Sequence, residues 1–243
     1  MQRFFVDQNS YNGETVTIRG KDAYHISRSL RMKKGEEVSV CLPDGNVLVC
    51  KLVAFSDVEV TAEVVSVEEC RSESPVRIHV YIALPKGDKF DTVVQKAVEC
   101  GAYSVTPFMS ERCIAKAGDG FEKKLERLNR IAYEAAKQCG RGIVPTVKPL
   151  LSYEKMLDEA AHADLPLFCY EADGTLPLGR LLKREAKNIS VIVGSEGGFS
   201  EKEALLAKEK GLLLTGLGPR ILRCETAPTF VLSCLTLYYE LGI

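Results

Sequence analysis

The segment Gly-Ser-Glu-Gly-Gly-Phe-Ser at 194–200 has the composition of a ligand-binding turn, because three of its first five residues are glycine. It follows a predicted strand and precedes a predicted helix, so that backbone N–H groups at the helix start could face polar ligand atoms. Glycine lets backbone approach a ligand without Cβ clashes. The segment matches neither Gly-x-Gly-x-x-Gly nor a P-loop, which disfavours dinucleotide and nucleoside triphosphate binding. On glycine content alone, a tight turn explains it equally well.

A second segment, at 217–226, brings two cations and a carboxylate close together: Arg220, Arg223 and Glu225. It follows the last predicted strand and precedes the last predicted helix. The alternative explanation is a surface salt bridge, with Thr226 as the helix N-cap. A third segment, Tyr-Glu-Ala-Asp-Gly at 170–174, also follows a strand and is a weak signal alone. In open α/β sheets ligands bind beyond the carboxyl ends of strands, so these ends are the candidate site.

The chain from residue 76 onwards alternates predicted strands with predicted helices, which indicates an open α/β sheet. Residues 76–84 form a nearly continuous apolar run, as a buried parallel strand requires. Apolar residues then recur at helical spacing from Phe90 to Val98, and Gly101 ends that helix. Ser-Glu-Lys-Glu at 200–203 is a capping box that opens another helix. The remaining predicted elements are strands at 103–108, 165–170, 189–193 and 212–217 and helices at 121–139 and 226–241.

The last predicted helix, 226–241, is apolar on most of its faces. We therefore expect it to be buried, either in the core or against a partner subunit. Pro228 is compatible with it because proline is tolerated in the first turn of a helix.

Residues 3–70 follow a different pattern, with short β-branched stretches at 16–18, 38–42, 47–53 and 58–65. Pro-Asp-Gly at 43–45 predicts a hairpin turn between the second and third of these strands. One helix interrupts them; we expect it to be capped by Asp22 and to run through Tyr24 and Leu30 towards Gly35. Such short strands indicate a small β-barrel. The linker at 71–75 predicts two domains, 1–72 and 73–243.

Composition limits the classes of function that the chain can have. Of the 243 residues, 46% are hydrophobic and 27% charged, which is typical of a globular protein with one large or two small domains. The formal net charge of −1 excludes a basic field over the whole molecule, so nucleic acid would have to bind local clusters. Apolar stretches are shorter than the ~18 residues that span a bilayer, and the N-terminus is unlike a signal peptide. We expect a cytoplasmic protein without a membrane segment.

The nine cysteines form no Cys-x-x-Cys pair, and the chain has three histidines. Buried thiols in a reducing compartment are the simplest interpretation. We expect no metal site.

The two segments at 194–200 and 217–227, taken as a pair, resemble the signature loops of the bacterial ribosomal RNA small subunit methyltransferase E family, in the SPOUT superfamily. Matching stretches at 30–32, 110–113 and 138–141 extend the resemblance over nearly the whole chain. Two positions depart from the family pattern, with Ser195 in place of a usual proline and Ala227 in place of a usual threonine. Neither change removes a charged group.

The resemblance implies an α/β protein with an N-terminal PUA-like β-barrel and a C-terminal SPOUT α/β domain containing a deep trefoil knot. General rules of chain topology alone would exclude a knot. It also implies a homodimer with the last helix at or near the interface. The implied reaction is S-adenosylmethionine-dependent methylation of N3 of a uridine in 16S ribosomal RNA, and the implied partner is that RNA or the small ribosomal subunit.

Site residues follow from the same resemblance. The expected cofactor-binding residues are Tyr170, Gly194, Glu196, Gly197, Gly198, Leu217, Gly218, Ile221 and Leu222. Uracil N3 carries a proton and is a poor nucleophile, so Arg220 or Arg223 would stabilise the charge that spreads to O2 and O4. Glu196 or Glu225 would accept the proton, directly or through water. The equally weighted alternative is that each glutamate orients an arginine or a helix end.

RNA binding depends on local clusters, because residues 1–70 hold eight Lys and Arg against eleven Asp and Glu. The expected phosphate-facing residues are Arg3, Arg28, Arg31, Lys33 and Lys34, joined in the catalytic domain by Arg112 and Arg141. Lys86 and Lys89 are further candidates there. The alternative for such a charge run is a solvated helix end.

Three other functions remain open from the sequence. The first is a SPOUT methyltransferase acting on transfer RNA or a ribose 2′-hydroxyl. The second is a non-catalytic RNA-binding factor in ribosome assembly, which would have no use for a cofactor. The third is a nucleotide-dependent metabolic enzyme that binds phosphates with the glycine-rich segment.

Overall fold

The computed structural model describes residues 1–56, 58–115, 120–172, 174–183 and 185–242. The chain divides into two compact units, the first made of Met1–Glu73 and Ala136–Val144, the second of Ser74–Ala135 and Pro145–Ile243. Within the described residues, no helix combines the length and the apolar character needed to cross a bilayer. The same residues contain no group of three or more His, Cys, Asp or Glu side chains placed to hold a metal ion.

The first unit is built on a curled five-stranded sheet. Its strands are β1 Gln2–Phe5, β2 Thr15–Arg19, β3 Glu37–Cys41, β4 Asn46–Phe55 and β5 Glu59–Glu69. They lie in the order β1-β3-β4-β5-β2, with β1 parallel to β3 and the other neighbours antiparallel. Alternate side chains enter one core, in which Phe4, Ile18, Leu48 and Leu52 are fully buried. A β-rich N-terminal region is therefore confirmed, although β1 was not predicted as a separate strand.

The predicted hairpin between β3 and β4 is also confirmed. The two strands are antiparallel, and Val40 pairs with Leu48. Gly45 has φ +90°, a conformation that side chains rarely adopt, which explains the glycine at this position. The Asn46 N–H donates to Asp44 Oδ1 at 3.0 Å and closes the turn.

The helix predicted after β2 differs from expectation. α1 spans Gly20–Tyr24, its N-cap is Arg19, and one π-helical turn follows at His25–Ser29. The prediction that Asp22 caps the helix was wrong. Its carboxylate instead accepts a hydrogen bond from Lys137 Nζ at 2.9 Å, a residue far along the chain that sequence periodicity could not reveal.

The second unit is an α/β sheet of seven strands. They are β6 Arg77–Ala83, β7 Ser104–Phe108, β8 Thr146–Val147, β9 Leu165–Cys169, β10 Leu176–Pro177, β11 Asn188–Val193 and β12 Leu213–Gly216. Their order is β10-β12-β9-β11-β6-β7-β8, and every neighbouring pair is parallel. This parallel pairing confirms the predicted α/β sheet, and most residues of its central strands are buried, as is typical of parallel sheets.

The helices of this unit are α2 Lys89–Glu99, α3 Phe121–Cys139, α4 Tyr153–Ala160, α5 Leu178–Leu181, α6 Glu201–Glu209 and α7 Thr226–Tyr239. The last turn of α3 is assigned to the first unit. Sequence reasoning found α2, α3, α6 and α7 but missed α4, α5, β8 and β10. For α4 a signal exists, since Ser152 caps it and its buried residues Tyr153, Met156, Leu157 and Ala160 recur at helical spacing. The other three elements are two to four residues long, too short to give a period.

Candidate functional site

Three adjacent parallel strands end at the predicted loops. β12, β9 and β11 are neighbours in the sheet, and their carboxyl ends lead into residues 217–225, 170–175 and 194–200. Residues of all three loops line one cavity of about 260 Å³. The structure therefore brings the three segments together at the edge where an open α/β sheet binds ligands. Asp173, in the third segment, lies outside the described residues.

Most of the residues predicted to bind a cofactor line this cavity. They are Tyr170, Gly194, Gly198, Leu217, Gly218, Ile221 and Leu222. Glu196 and Gly197 are not among the lining residues that the structure describes, and their contacts point to other roles. Of the predicted catalytic residues, Arg220 lines the cavity, whereas Arg223, Glu196 and Glu225 do not.

Two glycines of the 194–200 loop, Gly194 and Gly198, allow the chain to form a tight turn. A Cβ on Gly194 would lie 3.1 Å from Gly198 Cα and 3.3 Å from the Phe199 ring, so the turn itself fills that space. Gly198 has φ +62°, and its N–H donates to Ser195 O at 3.0 Å. Glycine at position 194 therefore permits a tight turn, and Gly194 also lines the cavity, where its contact with the cofactor stays a prediction.

The C-terminal end of this turn is anchored within the second unit. Phe199 is buried, with its ring centroid 4.2 Å from that of Phe168 and 6.2 Å from that of Phe108. Ser200 caps α6 through the predicted capping box, in which the Ser200 N–H donates to Glu203 Oε2 at 2.9 Å. Aromatic packing and a capped helix start therefore hold this end of the turn.

A segment that follows β7, Ser110–Cys113, binds this turn from outside the cavity. Ser200 Oγ donates to Glu111 Oε2 at 2.7 Å, and the Glu111 N–H donates to Glu203 Oε1 at 2.8 Å. Arg112 NH1 donates to Gly197 O at 3.1 Å. A Cβ on Gly197 would lie 2.9 Å from Arg112 Cβ, so glycine here allows the two segments to touch.

One lysine connects two of the cavity-forming loops. Lys89, the first residue of α2, places its Nζ 2.9 Å from Glu196 Oε1 and 3.7 Å from Glu225 Oε2. The Lys86 N–H also donates to Glu196 Oε1, at 3.2 Å. Sequence reasoning treated Lys86 and Lys89 as RNA contacts and did not foresee these ion pairs.

These contacts keep both carboxylates ionised. Partial burial raises the pKa of Glu196, but hydrogen bonds from Lys89 and from backbone N–H groups outweigh burial and leave that pKa below its ordinary value. The pKa of Glu225 is lowered by its own backbone N–H, by the Cys224 thiol and by the charge of Lys89. The hydrogen bond to Glu196 raises the pKa of Lys89. A carboxylate with a lowered pKa is a weaker base than usual, which favours a positioning role for both glutamates.

Two cysteines that the sequence did not single out line the cavity, Cys169 and Cys224. Burial raises the pKa of each thiol to about 12. Since the thiolate is the nucleophilic form, neither sulfur supports nucleophilic catalysis at neutral pH.

The basic residues predicted to face phosphates in the first unit are largely exposed. Arg28, Arg31, Lys33 and Lys34 are all exposed, and Arg31 has φ +53°, an uncommon conformation for a residue other than glycine. Their exposure is compatible with an RNA-facing patch and equally with a solvated helix end.

Two other predicted RNA contacts are engaged within the first unit. Arg141 is 4% exposed, and its guanidinium donates to Glu73 Oε1 at 2.9 Å and Oε2 at 2.7 Å. We therefore withdraw the prediction that Arg141 contacts RNA, because a buried and paired guanidinium has a structural role. Arg3 NH1 donates to the carbonyl oxygen of Gly140, which leaves less of that guanidinium for a phosphate.

Comparison with known proteins gives concordant matches in sequence and in fold. Residues 72–236 match the RNA methyltransferase domain family. The chain is 33% identical to the ribosomal RNA small subunit methyltransferase E of Bacillus subtilis, over 99% of this chain and 98% of the relative.

Two solved structures share the fold over nearly the full length. One is a ribosomal RNA small subunit methyltransferase E from Neisseria gonorrhoeae bound to S-adenosyl methionine, with TM-score 0.85, 30% identity and 98% coverage of both chains. The other is a putative methyltransferase from Legionella pneumophila in complex with the bound cofactor SAM, with TM-score 0.85, 29% identity and 97% coverage of both chains.

Proposed function

This chain belongs to the ribosomal RNA small subunit methyltransferase E family, and we propose on that basis that it transfers a methyl group from S-adenosylmethionine to small-subunit ribosomal RNA. The observation that carries the proposal is that the two family segments, 194–200 and 217–226, line one cavity at the carboxyl ends of parallel strands. The cofactor bound to two relatives of the same fold supports the choice of donor.

The cavity suits this donor in its chemistry. Leu217, Gly218, Ile221 and Leu222 line its wall, and a mostly apolar lining with a few polar groups is typical of a small-molecule site. Glu171 adds a carboxylate that complements a positively charged ligand. When bound, S-adenosylmethionine supplies an electrophilic methyl group on a sulfonium sulfur, a reaction that needs no metal.

The acceptor that we propose is N3 of a uridine in 16S ribosomal RNA. Loss of the N3 proton leaves negative charge on O2 and O4, which a fixed cation stabilises. Arg220 fits this role because it lines the cavity, is exposed there, and presents a planar, positively charged group with several N–H donors. Arg223 lies in the same loop and is the second candidate. The target base must leave its stack to reach the cavity.

Glu196 and Glu225 are the candidate acceptors of the N3 proton. Glu196 and Glu225 are both outside the described cavity wall and both pair with Lys89, so either would have to receive the proton through water. Their geometry supports the alternative role, in which they position the loops that bind the donor.

We extend the proposal to the architecture that the family implies. Residues 1–72 would form a PUA-like RNA-binding barrel, and residues 73–243 a SPOUT methyltransferase domain with a deep trefoil knot. The proposed assembly is a cytoplasmic homodimer that uses α7. Support for the dimer comes from apolar side chains exposed on and just after this helix, Phe230 at 39%, Leu237 at 42% and Leu241 at 68%.

RNA binding by the first unit is proposed for the exposed cations Arg28, Arg31, Lys33 and Lys34. Arg3 would contribute its remaining donors. Phosphate contacts of this kind give affinity that falls as salt rises.

The proposal is tested by incubating the protein with labelled S-adenosylmethionine and small ribosomal subunits that lack the modification. We expect the label on N3 of one uridine of 16S ribosomal RNA, located by nuclease mapping and mass spectrometry. Label on transfer RNA or a ribose hydroxyl would change the target within the same enzyme class. No binding of the donor in calorimetry would reject methyl transfer altogether.

A further inference from the structure

A single ammonium group lies between carboxylates that come from two different loops. Lys89 Nζ is 2.9 Å from Glu196 Oε1 and 3.7 Å from Glu225 Oε2. The two carboxylates share no other cation among the ion pairs that the structure describes. Both ion pairs are formed within the second unit.

The two carboxylates are immediate neighbours of the cavity wall. Glu196 follows Ser195, and Glu225 follows Cys224; both preceding residues line the cavity. Each carboxylate therefore belongs to a residue bonded directly to a residue of the cavity wall, so that movement of the carboxylate can shift the wall. The lysine that pairs with them sets the distance between the two loops.

The position of Lys89 in α2 argues against a local role. It is the first residue of this helix, where the helix dipole disfavours a positive charge and favours a negative one. A lysine at this position does not stabilise its own helix. The favourable interactions of its charge are those with the carboxylates that it faces. The Lys86 N–H, just before the helix, donates to the same Glu196 oxygen and fixes that carboxylate from a second direction.

We propose that Lys89 is a positioning residue, which joins the two donor-binding loops by bridging Glu196 and Glu225. The proposal rests on the proposed function in taking these loops as the S-adenosylmethionine site. Without the ammonium, the two carboxylates have no shared cation between them, and the loops separate. Lys89 thereby preorganises the cavity, and its loss weakens donor binding while leaving the methyl-transfer step itself intact.

The test measures donor binding and turnover in Lys89→Met and Lys89→Arg. Methionine keeps the length of the side chain and removes the charge; arginine keeps the charge. Since ion pairs of partly exposed side chains contribute modestly, we expect Lys89→Met to raise the Kd for S-adenosylmethionine by about three- to tenfold. With saturating donor, kcat should stay within about twofold of the wild-type value. Lys89→Arg should restore most of the affinity.

Lys96→Met is the matched control. Lys96 lies on the same helix and pairs with Glu99 at 2.8 Å, away from the cavity. Its loss removes an ion pair of the same kind, and the donor Kd should not change.

A double-mutant cycle tests the bridge directly. In a Glu225→Gln background, Lys89→Met should cost less affinity than in the wild type, because one of its partners is already neutral. Additive effects, an unchanged Kd in Lys89→Met, or a fall in kcat that saturating donor does not correct would each overturn the proposal. Failure of the wild-type protein to bind the donor would instead overturn the proposed function, so the two failures are distinguishable.

Discussion

At the scale of single residues, Arg220 is the predicted catalytic cation that the structure places in the cavity wall. Its side chain is exposed and carries a positive charge. A hydrogen-bond donor that points at charge developing in the transition state stabilises the transition state more than the ground state, and therefore raises the rate.

We therefore predict that Arg220→Ala lowers kcat by roughly 10²–10³-fold with RNA and donor both saturating. The donor Kd should change much less than kcat. Single-turnover kinetics with labelled donor provide the measurement. Arg130→Ala, an exposed arginine on α3, is the control and should keep normal turnover. Normal turnover in Arg220→Ala would remove this residue from the mechanism.

The glutamates beside Lys89 make the loop arrangement sensitive to acid. Their pKa values are lowered from an ordinary 4.5, so their ion pairs are fully formed above that pH and are lost as the pH falls through the lowered values. The raised pKa of Lys89 keeps the cation present through the neutral range. Wild-type protein should consequently melt at a higher temperature than Lys89→Met at neutral pH.

We predict that this difference in Tm shrinks when the pH is lowered below 4.5. Melting curves of the two proteins between neutral and acidic pH measure it. Lys89→Arg, which keeps the cation, should follow wild type over the same range and corrects for general acid effects. A difference that stays constant into the acid range would show that the carboxylates do not act through Lys89.

At the scale of elements, the start of α6 holds the 194–200 turn in place. Glu203 is 7% exposed, and its carboxylate accepts hydrogen bonds from the Ser200 and Glu111 N–H groups. One side chain thus caps a helix and ties the turn to the segment after β7. Glutamine in its place offers one acceptor oxygen and leaves a buried N–H without a partner.

The variant Glu203→Gln should lose about 1–3 kcal/mol in the free energy of unfolding, since it leaves a buried donor unsatisfied. It should also weaken donor binding, because the turn is less well held. Urea unfolding and calorimetry measure the two effects. Glu201→Gln, an exposed change in the same first turn, is the control and should change the free energy of unfolding by less than about 0.5 kcal/mol.

At the scale of the whole molecule, α7 has two different sides. Val231, Leu232 and Leu235 are fully buried, whereas Phe230 and Leu237 are exposed. The sequence is apolar on most faces of this helix and predicts that the helix is buried, in the core or against a partner subunit. Within one chain, only one side of the helix is buried. An exposed apolar helix face is typical of a surface that another protein covers.

We predict that Leu237→Glu converts the proposed homodimer into monomers, because it places a charge in an apolar interface. Sedimentation equilibrium across a range of protein concentrations measures the mass. Leu205→Glu, on α6, is the matched control: Leu205 is 58% exposed and should tolerate the charge without a change in mass. A wild-type protein that is monomeric throughout the range would contradict the proposed dimer.

Several features were predictable from the sequence because they depend on neighbours along the chain. The strand periods, the capping box at Ser200 and the hairpin at Gly45 are local patterns. The family resemblance pointed to the loops at 194–200 and 217–227. The positive charge of Arg220 made it a candidate for stabilising negative charge on the uracil oxygens. A residue's place in a turn or helix is set by interactions within a few positions, which the order of amino acids contains directly.

Other features were decided only by the tertiary structure. Lys89 and Arg112 were predicted as RNA contacts, which stays a prediction, and the structure shows in addition that each contacts the glycine-rich loop. Asp22 was expected to cap α1, and Arg141 to bind RNA; they pair with Lys137 and Glu73. A charged side chain has the same sequence signature whether water, RNA or a distant carboxylate is its partner. Which one it meets depends on how the strands and loops are brought together, and that is a property of the folded chain.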